Sequence, residues 1–216
     1  MIIPEKRKSA KKRKGTALPE APVVTDEQRQ RILEAALQAF AERGFHGTAI
    51  PEIADAAGVG VASIYRRFPS KERLVNEVFR DAKSRLRDAL LLGLELAGSP
   101  RAMFLDVWAR LVRFQRKEPL AFQFLEMQDH VPYLDGESRA LEASLLVPIL
   151  VATEAATRKS AGGVPARVVI AMVWGAFVGI TKAARYGYLT LDEATLLRAG
   201  EVCWSAVATT LSHRGE

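Results

Sequence analysis

The stretch from Thr48 to Leu74, TAIPEIADAAGVGVASIYRRFPSKERL, constrains the fold of this chain more than any other part. It holds two short helical patterns that meet at Gly58, a residue that permits the positive φ of a tight turn. The second pattern, from Val61 to Phe68, has only about two turns, which is too short for a helix to be stable alone. We therefore expect it to pack on the preceding helices through Ile64 and Phe68.

Helical periodicity continues through the rest of the sequence. Thr25 and Gln28 have the spacing of a capping box, so a first helix should begin there, and Gly44 should end it. A long helix is expected from Lys71. No sustained alternating pattern predicts a strand, so we predict an all-α fold of about nine helices, in which the long helix joins an N-terminal three-helix helix-turn-helix domain to a C-terminal helical domain.

Local signals place several helix boundaries. Thr48 is expected to cap the second helix, and Pro148 should kink a seventh helix over about residues 138–160. The segment from Thr190 to Glu193 has the form of a second capping box, which should open the ninth helix. Helix eight, over about residues 165–186, is apolar nearly all round, a pattern typical of burial on more than one side.

Composition excludes several classes of protein. The single cysteine, Cys203, rules out an internal disulfide framework. The longest apolar stretch, residues 168–181, has 14 residues, fewer than the roughly 18 to 20 that cross a bilayer. The N-terminus lacks the apolar run of a secretory signal. These features predict a soluble, cytoplasmic protein with no membrane partner.

The sequence offers no pattern typical of catalysis: no nucleophile with a matched base, no glycine-rich phosphate loop and no metal-ligand spacing. His46, His130 and His213 lie far apart in the chain. Glu126, Asp129 and His130 could form a metal cluster on one helix face or simply a solvated face. We predict a protein that is not an enzyme and needs neither a cofactor nor a metal.

Residues 26–74 resemble the N-terminal domain of the tetracycline-repressor (TetR) family. The matching motifs are Ile53-Ala54, Ala57-Gly58-Val59, Ser63-Ile64-Tyr65, Phe68 and Ser70-Lys71-Glu72. The nine-helix length and the long connecting helix also fit that family. Two positions depart from its pattern, since Gly60 replaces the serine that commonly caps the recognition helix and Ala62 replaces a glycine.

The resemblance implies roles in DNA binding. Four side chains occupy positions at which family members contact phosphates: Thr48, Tyr65, Arg67 and Lys71. Four others lie where family members read bases: Val61, Ala62, Ser63 and Arg66. Of these, Arg66 has the side chain that pairs bidentately with guanine, a contact worth about 1 to 3 kcal/mol of discrimination.

The resemblance also implies a small-molecule effector bound among helices four to eight. Residues that could line its site carry aromatic, thioether or imidazole side chains: Phe104, Trp108, Phe122, Met127, His130, Trp174 and Phe177. Side chains of this kind at helical spacing also build ordinary cores, so both interpretations stay open. No compact cluster of one charge is visible in these helices, which favours an apolar or aromatic ligand.

Small residues on helix eight, such as Gly175 and Gly179, would let another helix approach closely. This feature and the resemblance predict a homodimer formed through helices eight and nine. The alternative is that helix eight is buried wholly within one subunit.

The positive charge is concentrated in the first residues. Residues 1–14 hold seven Lys and Arg and one acid, while 24 basic and 24 acidic residues cancel elsewhere. We expect residues 1–24 to form a disordered basic arm, either a solubilising tail or a segment that contacts DNA phosphates or the minor groove.

These observations divide the chain into the arm, a helix-turn-helix DNA-binding domain over residues 25–70, and an effector-binding and dimerisation domain over residues 71–216. The predicted function is that of a sequence-specific transcriptional repressor, released from a pseudo-palindromic operator by a small ligand. The alternative is an architectural DNA-binding or interaction protein without ligand control.

Overall fold

The computed structural model describes residues 25–95, 98–127, 129–130, 132–157 and 164–212. Over these residues the only regular elements are nine α-helices, which confirms the all-α prediction. They are α1 Asp26–Arg43, α2 Ile50–Ala57, α3 Val61–Arg67, α4 Lys71–Leu91, α5 Pro100–Lys117, α6 Pro119–Met127, α7 Gly136–Thr157, α8 Ala166–Arg185 and α9 Glu193–Ser212. The predicted basic arm lies outside the described residues.

The first three helices pack around a small apolar core. Thr25 and Gln28 form the predicted capping box, and Gly44 ends α1. The prediction that Thr48 caps α2 is wrong, because Ala49 occupies the N-cap position. The Thr48 hydroxyl instead lies 2.8 Å from the carbonyl oxygen of Gly44 and 3.0 Å from that of Ala39. Burial of Thr48 requires its hydroxyl to find a partner inside the protein, and these two carbonyl groups are within reach.

Helix α4 connects the N-terminal unit to the remaining helices. Its 21 residues correspond to about 30 Å of axial length. Ser70 caps it by accepting a hydrogen bond from the Arg73 N–H at 3.2 Å. The buried face begins at Leu74 and continues to Leu90, and α4 packs against α1, α5, α6 and α7. A shift of this helix would therefore change the packing in both halves of the protein.

Helix α7 contains Pro148, as the sequence predicts, whereas the start of α9 departs from the sequence prediction. The Thr190 capping box is wrong: α9 begins at Glu193, and the Asp192 carboxylate accepts from the N–H of Thr195 at 2.6 Å. Asp192 stands directly before the helix, so its carboxylate is closer to the first free N–H groups than the Thr190 hydroxyl is.

Within the described residues, helix α8 is buried on only one side. Val169, Phe177 and Thr181 face inward, whereas Met172 is 62% exposed. By length and composition α8 could also cross a membrane, with a mean hydropathy of 1.5. Its inner side, however, packs on α7 and α9. The alternative that α8 is wholly covered within one subunit is therefore wrong.

Candidate functional site

The turn between α2 and α3 is made by the backbone around Gly58. Gly58 has φ 65° and ψ 38°, in the left-handed region. The N–H of Val59 donates to the carbonyl oxygen of Ala54 at 3.0 Å, and the N–H of Gly58 donates to that of Asp55 at 3.2 Å. This hydrogen-bond pair is the Schellman motif, which ends α2 sharply. The chain can then start α3 after only three residues.

Helix α3 has one buried side and one open side. Ile64 is fully buried, and Phe68, directly after the helix, is nearly so. Because Ile64 and Phe68 anchor the helix, its opposite side is presented to solvent. The exposed residues on that side are Val61, Ala62, Tyr65, Arg66 and Arg67.

Two cations at this surface are held in place by neighbouring side chains. Arg66 donates through Nη2 to the hydroxyl of Ser63 at 2.8 Å. Lys71 places Nζ 4.5 Å from the centre of the Phe45 ring. Partial burial lowers the pKa of Lys71, while the charges of Glu72 and Glu52 act in the opposite direction. A cation–π contact of this kind limits the freedom of the ammonium group while leaving its charge available.

Thr48 differs from the other predicted DNA contacts, because its side chain is almost completely buried. The hydroxyl faces two carbonyl oxygens of the α1 end. In this arrangement a phosphate at the start of α2 would meet backbone N–H groups of the first turn rather than the Thr48 hydroxyl.

Phe45 links the α3 surface to the second half of the chain. Its ring stacks on Tyr133 at a centroid distance of 4.6 Å. The Tyr133 hydroxyl lies 2.6 Å from Nδ1 of His130, whose Nε2 lies 2.5 Å from the carbonyl oxygen of Phe124. A carbonyl only accepts, so Nε2 carries the proton and Nδ1 accepts from Tyr133. Burial, aided by the Asp129 charge, raises the pKa of Tyr133 to about 12.

A polar network on α4 reinforces this link. The Asn76 amide donates to the Tyr133 carbonyl oxygen at 2.8 Å and accepts from the N–H of Asp135 at 2.9 Å. The Asp135 carboxylate accepts from Arg80 at 2.9 Å. Desolvation raises the pKa of Asp135, but hydrogen bonds from Ser138 and Arg80 outweigh it and lower the pKa to about 2. The network ties α4 to the segment that leads into α7.

A cavity of about 620 Å³ lies among helices α4 to α9. All three tryptophans of the chain line it, and most of its other wall residues are aliphatic. Of the residues predicted from the sequence to line a ligand site, Phe104, Trp108 and Trp174 face this cavity.

The other predicted lining residues lie elsewhere. Phe177 and Phe122 are buried in the core, with ring centroids 5.7 Å apart. His130 is buried in contact with Tyr133, away from the cavity wall. Burial lowers its pKa, although the hydrogen bond to the Phe124 carbonyl acts to raise it. The side chain of Met127 lies outside the described residues. The structure thus brings together three of the seven predicted residues at one cavity.

The sequence prediction missed the charged residues of the cavity wall. Lys83 is buried, and its Nζ lies 3.2 Å from Glu142 Oε1. Glu126 accepts from Nε1 of Trp174 at 2.9 Å. Desolvation raises the pKa of Glu126, although the charge of Lys83 and the hydrogen bond from Trp174 both act to lower it. Lys83 could have been noticed, because it lies on the apolar stripe of α4 between Phe79 and Leu86.

No group of three or more potential ligands capable of holding a metal is present in the described parts of the chain. The alternative of a Glu126, Asp129 and His130 cluster is not realised, because Glu126 bonds to Trp174 and His130 to Tyr133 and Phe124.

The outer surfaces of α8 and α9 form an apolar face. Met172 and Val202 are 62% and 71% exposed, and Leu197 is also exposed. An added Cβ at Gly175 or Gly179 would meet no atom within 4 Å, whereas one at Gly200 would meet Trp108. Gly200 of α9 is therefore packed inside the subunit.

Comparisons with known proteins agree with this architecture. A family model described as bacterial regulatory proteins, tetR family, matches residues 32–78, and one described as tetracyclin repressor-like, C-terminal domain, matches residues 79–209. The HTH-type transcriptional repressor KstR2 of Mycolicibacterium smegmatis is 41% identical over 63 residues, which cover 29% of this chain and 31% of that protein. The match thus spans about a third of KstR2.

Two solved structures share the fold. A TetR family transcription regulator from Marinobacter aquaeolei VT8 has a TM-score of 0.71 and 23% identity, covering 84% of this chain and 95% of its own. AibR, solved in complex with isovaleryl coenzyme A and operator DNA, has a TM-score of 0.64 and 19% identity, covering 81% and 95% of the two chains.

Proposed function

Because the chain belongs to the TetR family of bacterial regulatory proteins, we propose that it is a homodimeric transcriptional repressor that a small ligand releases from its operator. The observation that carries the proposal is the open side of α3. Tyr65, Arg66 and Arg67 are exposed there, on a short helix anchored from below by Ile64. This is the arrangement a recognition helix needs to enter a major groove.

Each subunit of the dimer would place α3 in one major groove of a pseudo-palindromic site. Base edges would be read by Val61, Ala62, Ser63 and Arg66. Phosphates would be held by backbone N–H groups at the start of α2, close to Thr48, and by Tyr65, Arg67 and Lys71. The Ser63 contact holds the Arg66 guanidinium close to the α3 surface, which reduces the side-chain entropy lost on binding.

The cavity is the proposed effector site. Its volume of about 620 Å³ is within the range of about 300 to 1,000 Å³ typical of small-molecule sites. The mostly aliphatic and aromatic wall supports a ligand with an apolar or aromatic body. AibR was solved in complex with isovaleryl coenzyme A, so a protein of this fold can bind a small molecule; its likeness to this chain concerns the fold alone.

Contacts between the two halves of the chain provide a route for control. Lys71, Phe45 and Tyr133 form a continuous series of contacts, and Asn76 holds the Tyr133 backbone to α4. Lys83, on the same helix, lines the cavity. A ligand that favours a tilted α4 would therefore change the separation of the two α3 helices and shift the population away from the DNA-binding state.

The apolar face of α8 and α9 is the proposed dimer interface, since an exposed face of this kind marks a protein contact. In the same proposal, the DNA-binding domain ends at residue 70, the protein is located in the cytoplasm, and it catalyses no reaction. KstR2 is named a repressor, and repression is the direction of regulation that we propose here.

The test compares Arg66→Ala with Lys71→Ala on an operator selected from random DNA. Arg66→Ala should relax sequence preference at one position. Lys71→Ala should weaken binding to all sequences about equally and reduce the slope of affinity against salt by about 1. Lys117→Ala is the matched control, because this exposed lysine at the end of α5 is distant in sequence from α3. Unchanged binding in both test variants would refute the assignment of α3.

The alternative is an architectural protein without sequence preference. It predicts a salt-dependent affinity that is the same for the selected operator and for random duplex DNA. A specific affinity well above the non-specific one, with fixed spacing between half-sites, would exclude it.

A further inference from the structure

One end of the cavity contains most of its charged groups. Lys83, Glu126, Glu142 and Trp174 all line this region, which we call the acidic end. The charges of Lys83 and Glu142 both act on the Glu126 carboxyl, so the three groups lie close to one another. Two carboxylates and one ammonium give this end an excess of one negative charge when all three are ionised.

The hydrogen bonds leave one of these groups incompletely satisfied. The Lys83 ammonium is buried and already lies 3.2 Å from Glu142. Glu126 accepts from Trp174 through Oε2, and within the described residues no side chain or backbone group donates to its Oε1. Glu126 is deeply placed yet lines the cavity, so its free oxygen is available to a molecule inside it. A carboxylate in such a place calls for a donor or a cation.

Apart from Arg167 and Thr153, the rest of the cavity wall is apolar, and it extends along two helices. Its wall follows α4 from Lys83 to Leu91, a distance of about 12 Å along the helix axis. On α8 it extends from Trp174 back to Arg167, about 10 Å away. The wall of the intervening space is formed by aliphatic and aromatic side chains, among them Trp108 and Ile170.

We infer that the effector is an elongated apolar amine whose ammonium group binds at the acidic end, between Glu126 and Glu142, with its hydrocarbon body along the cavity. This inference rests on the proposed function, which makes the cavity the effector site. An ammonium group would donate to the free Glu126 oxygen and cancel the excess negative charge. Beside an ionised Glu126, a fatty carboxylate would add a second excess negative charge, since Lys83 is already neutralised by Glu142. An uncharged alkyl end would bury the Glu126 oxygen without a partner.

The test measures the affinity of three probes that share a ten-carbon chain and differ in the head group: decylamine, decanol and decanoate. The three tryptophans line the cavity, so tryptophan fluorescence of the full chain at neutral pH reports binding. Decylamine is protonated there, because its ammonium resembles that of lysine. We expect decylamine to bind at least about tenfold more tightly than the other two probes, as for a charge paired in a buried site. Equal affinities, or tightest binding of decanoate, would overturn the inference.

The variant Glu126→Gln tests whether Glu126 is the residue that causes the preference for decylamine. Glutamine keeps an oxygen that accepts from Trp174 but removes the charge, so decylamine should lose about tenfold or more in affinity while decanol is unaffected. Glu95→Gln is the control, as it removes the same charge at an exposed position outside the cavity wall. A decylamine preference that survives in Glu126→Gln would also overturn the inference.

The DNA experiments separate this inference from the proposed function. A chain that binds its operator through Arg66 but prefers decanoate would refute the amine and leave the repressor in place. A chain that prefers decylamine through Glu126 supports the amine even where Arg66→Ala and Lys71→Ala leave DNA binding unchanged, and in that case the assignment of α3 as the recognition helix is refuted.

Discussion

Gly200 of α9 packs directly against Trp108 of α5, and its replacement by alanine tests the packing of the C-terminal half. A Cβ at this position would lie 2.6 Å from Cδ1 of Trp108 and 2.8 Å from Cγ and Nε1. The indole has little room to move, because Nε1 donates to the Leu196 carbonyl oxygen at 2.8 Å and the ring meets Phe177 edge to face at 5.1 Å. The methyl group therefore displaces either the ring or the helix.

The size of the effect follows from three contributions. Overpacking a filled core costs about 1 to 3 kcal/mol. Displacing the buried indole N–H from its acceptor costs a further 1 to 3 kcal/mol or so. Alanine favours the helix over glycine by about 1 kcal/mol. The net loss in the free energy of unfolding for Gly200→Ala is about 3 kcal/mol, equivalent to a fall in melting temperature of roughly 6 to 12 °C for a chain of this length.

The assay is urea denaturation followed by far-ultraviolet circular dichroism at a fixed protein concentration, because dimerisation makes stability depend on concentration. Gly136→Ala is the matched control: it is an exposed helical glycine, and its added Cβ would meet no atom within 4 Å. It should not destabilise the protein and should raise stability by at most about 1 kcal/mol. If Gly200→Ala is as stable as Gly136→Ala, the proposed contact between α9 and Trp108 is wrong.

Three further predictions concern the N-terminal half and its link to α4. Gly58→Ala should destabilise the protein by about 1 to 2 kcal/mol, because alanine is strained in the left-handed region; equal midpoints in urea would contradict this. The lowered pKa of Asp135 means that its stabilising effect is present above pH 4 or so and is lost as the pH falls toward about 2. Asp135→Asn should therefore flatten the acid side of the stability profile, and parallel profiles would exclude the network. Phe45→Leu removes the ring beneath Lys71 and should weaken operator binding about two- to fivefold; gel-shift titrations giving the wild-type affinity would show that this contact does not position Lys71.

Interactions between neighbouring residues, such as helix caps and turns, allowed much of the fold to be predicted from the sequence. The Thr25 capping box, the end of α1 at Gly44 and the turn at Gly58 depend on residues within one helical turn of each other, so their spacing alone predicts them. The same reasoning identifies α3 as a short helix with a buried Ile64 and exposed Tyr65 and Arg66.

Local signals were misleading where two groups compete for the same role. Thr48 has the side chain of a helix cap, but the buried carbonyl oxygens of Ala39 and Gly44 are its partners in the structure. Thr190 has the spacing of a capping box, but Asp192 is nearer to the free N–H groups of α9. Which group takes the role depends on the path of the chain, and spacing does not specify that path.

The sequence by itself therefore determined the helices and the short α3 anchored by Ile64, because periodicity is a property of neighbouring residues, while the resemblance to a known family indicated the outward residues of α3. Tertiary structure alone decided which residues meet across helices. Asn76 and Tyr133 are 57 residues apart, and Trp108 and Leu196 are 88 residues apart. The cavity, its acidic end at Glu126 and the packing of Gly200 on Trp108 arise from such distant pairs, whose contacts are fixed only when the helices pack together.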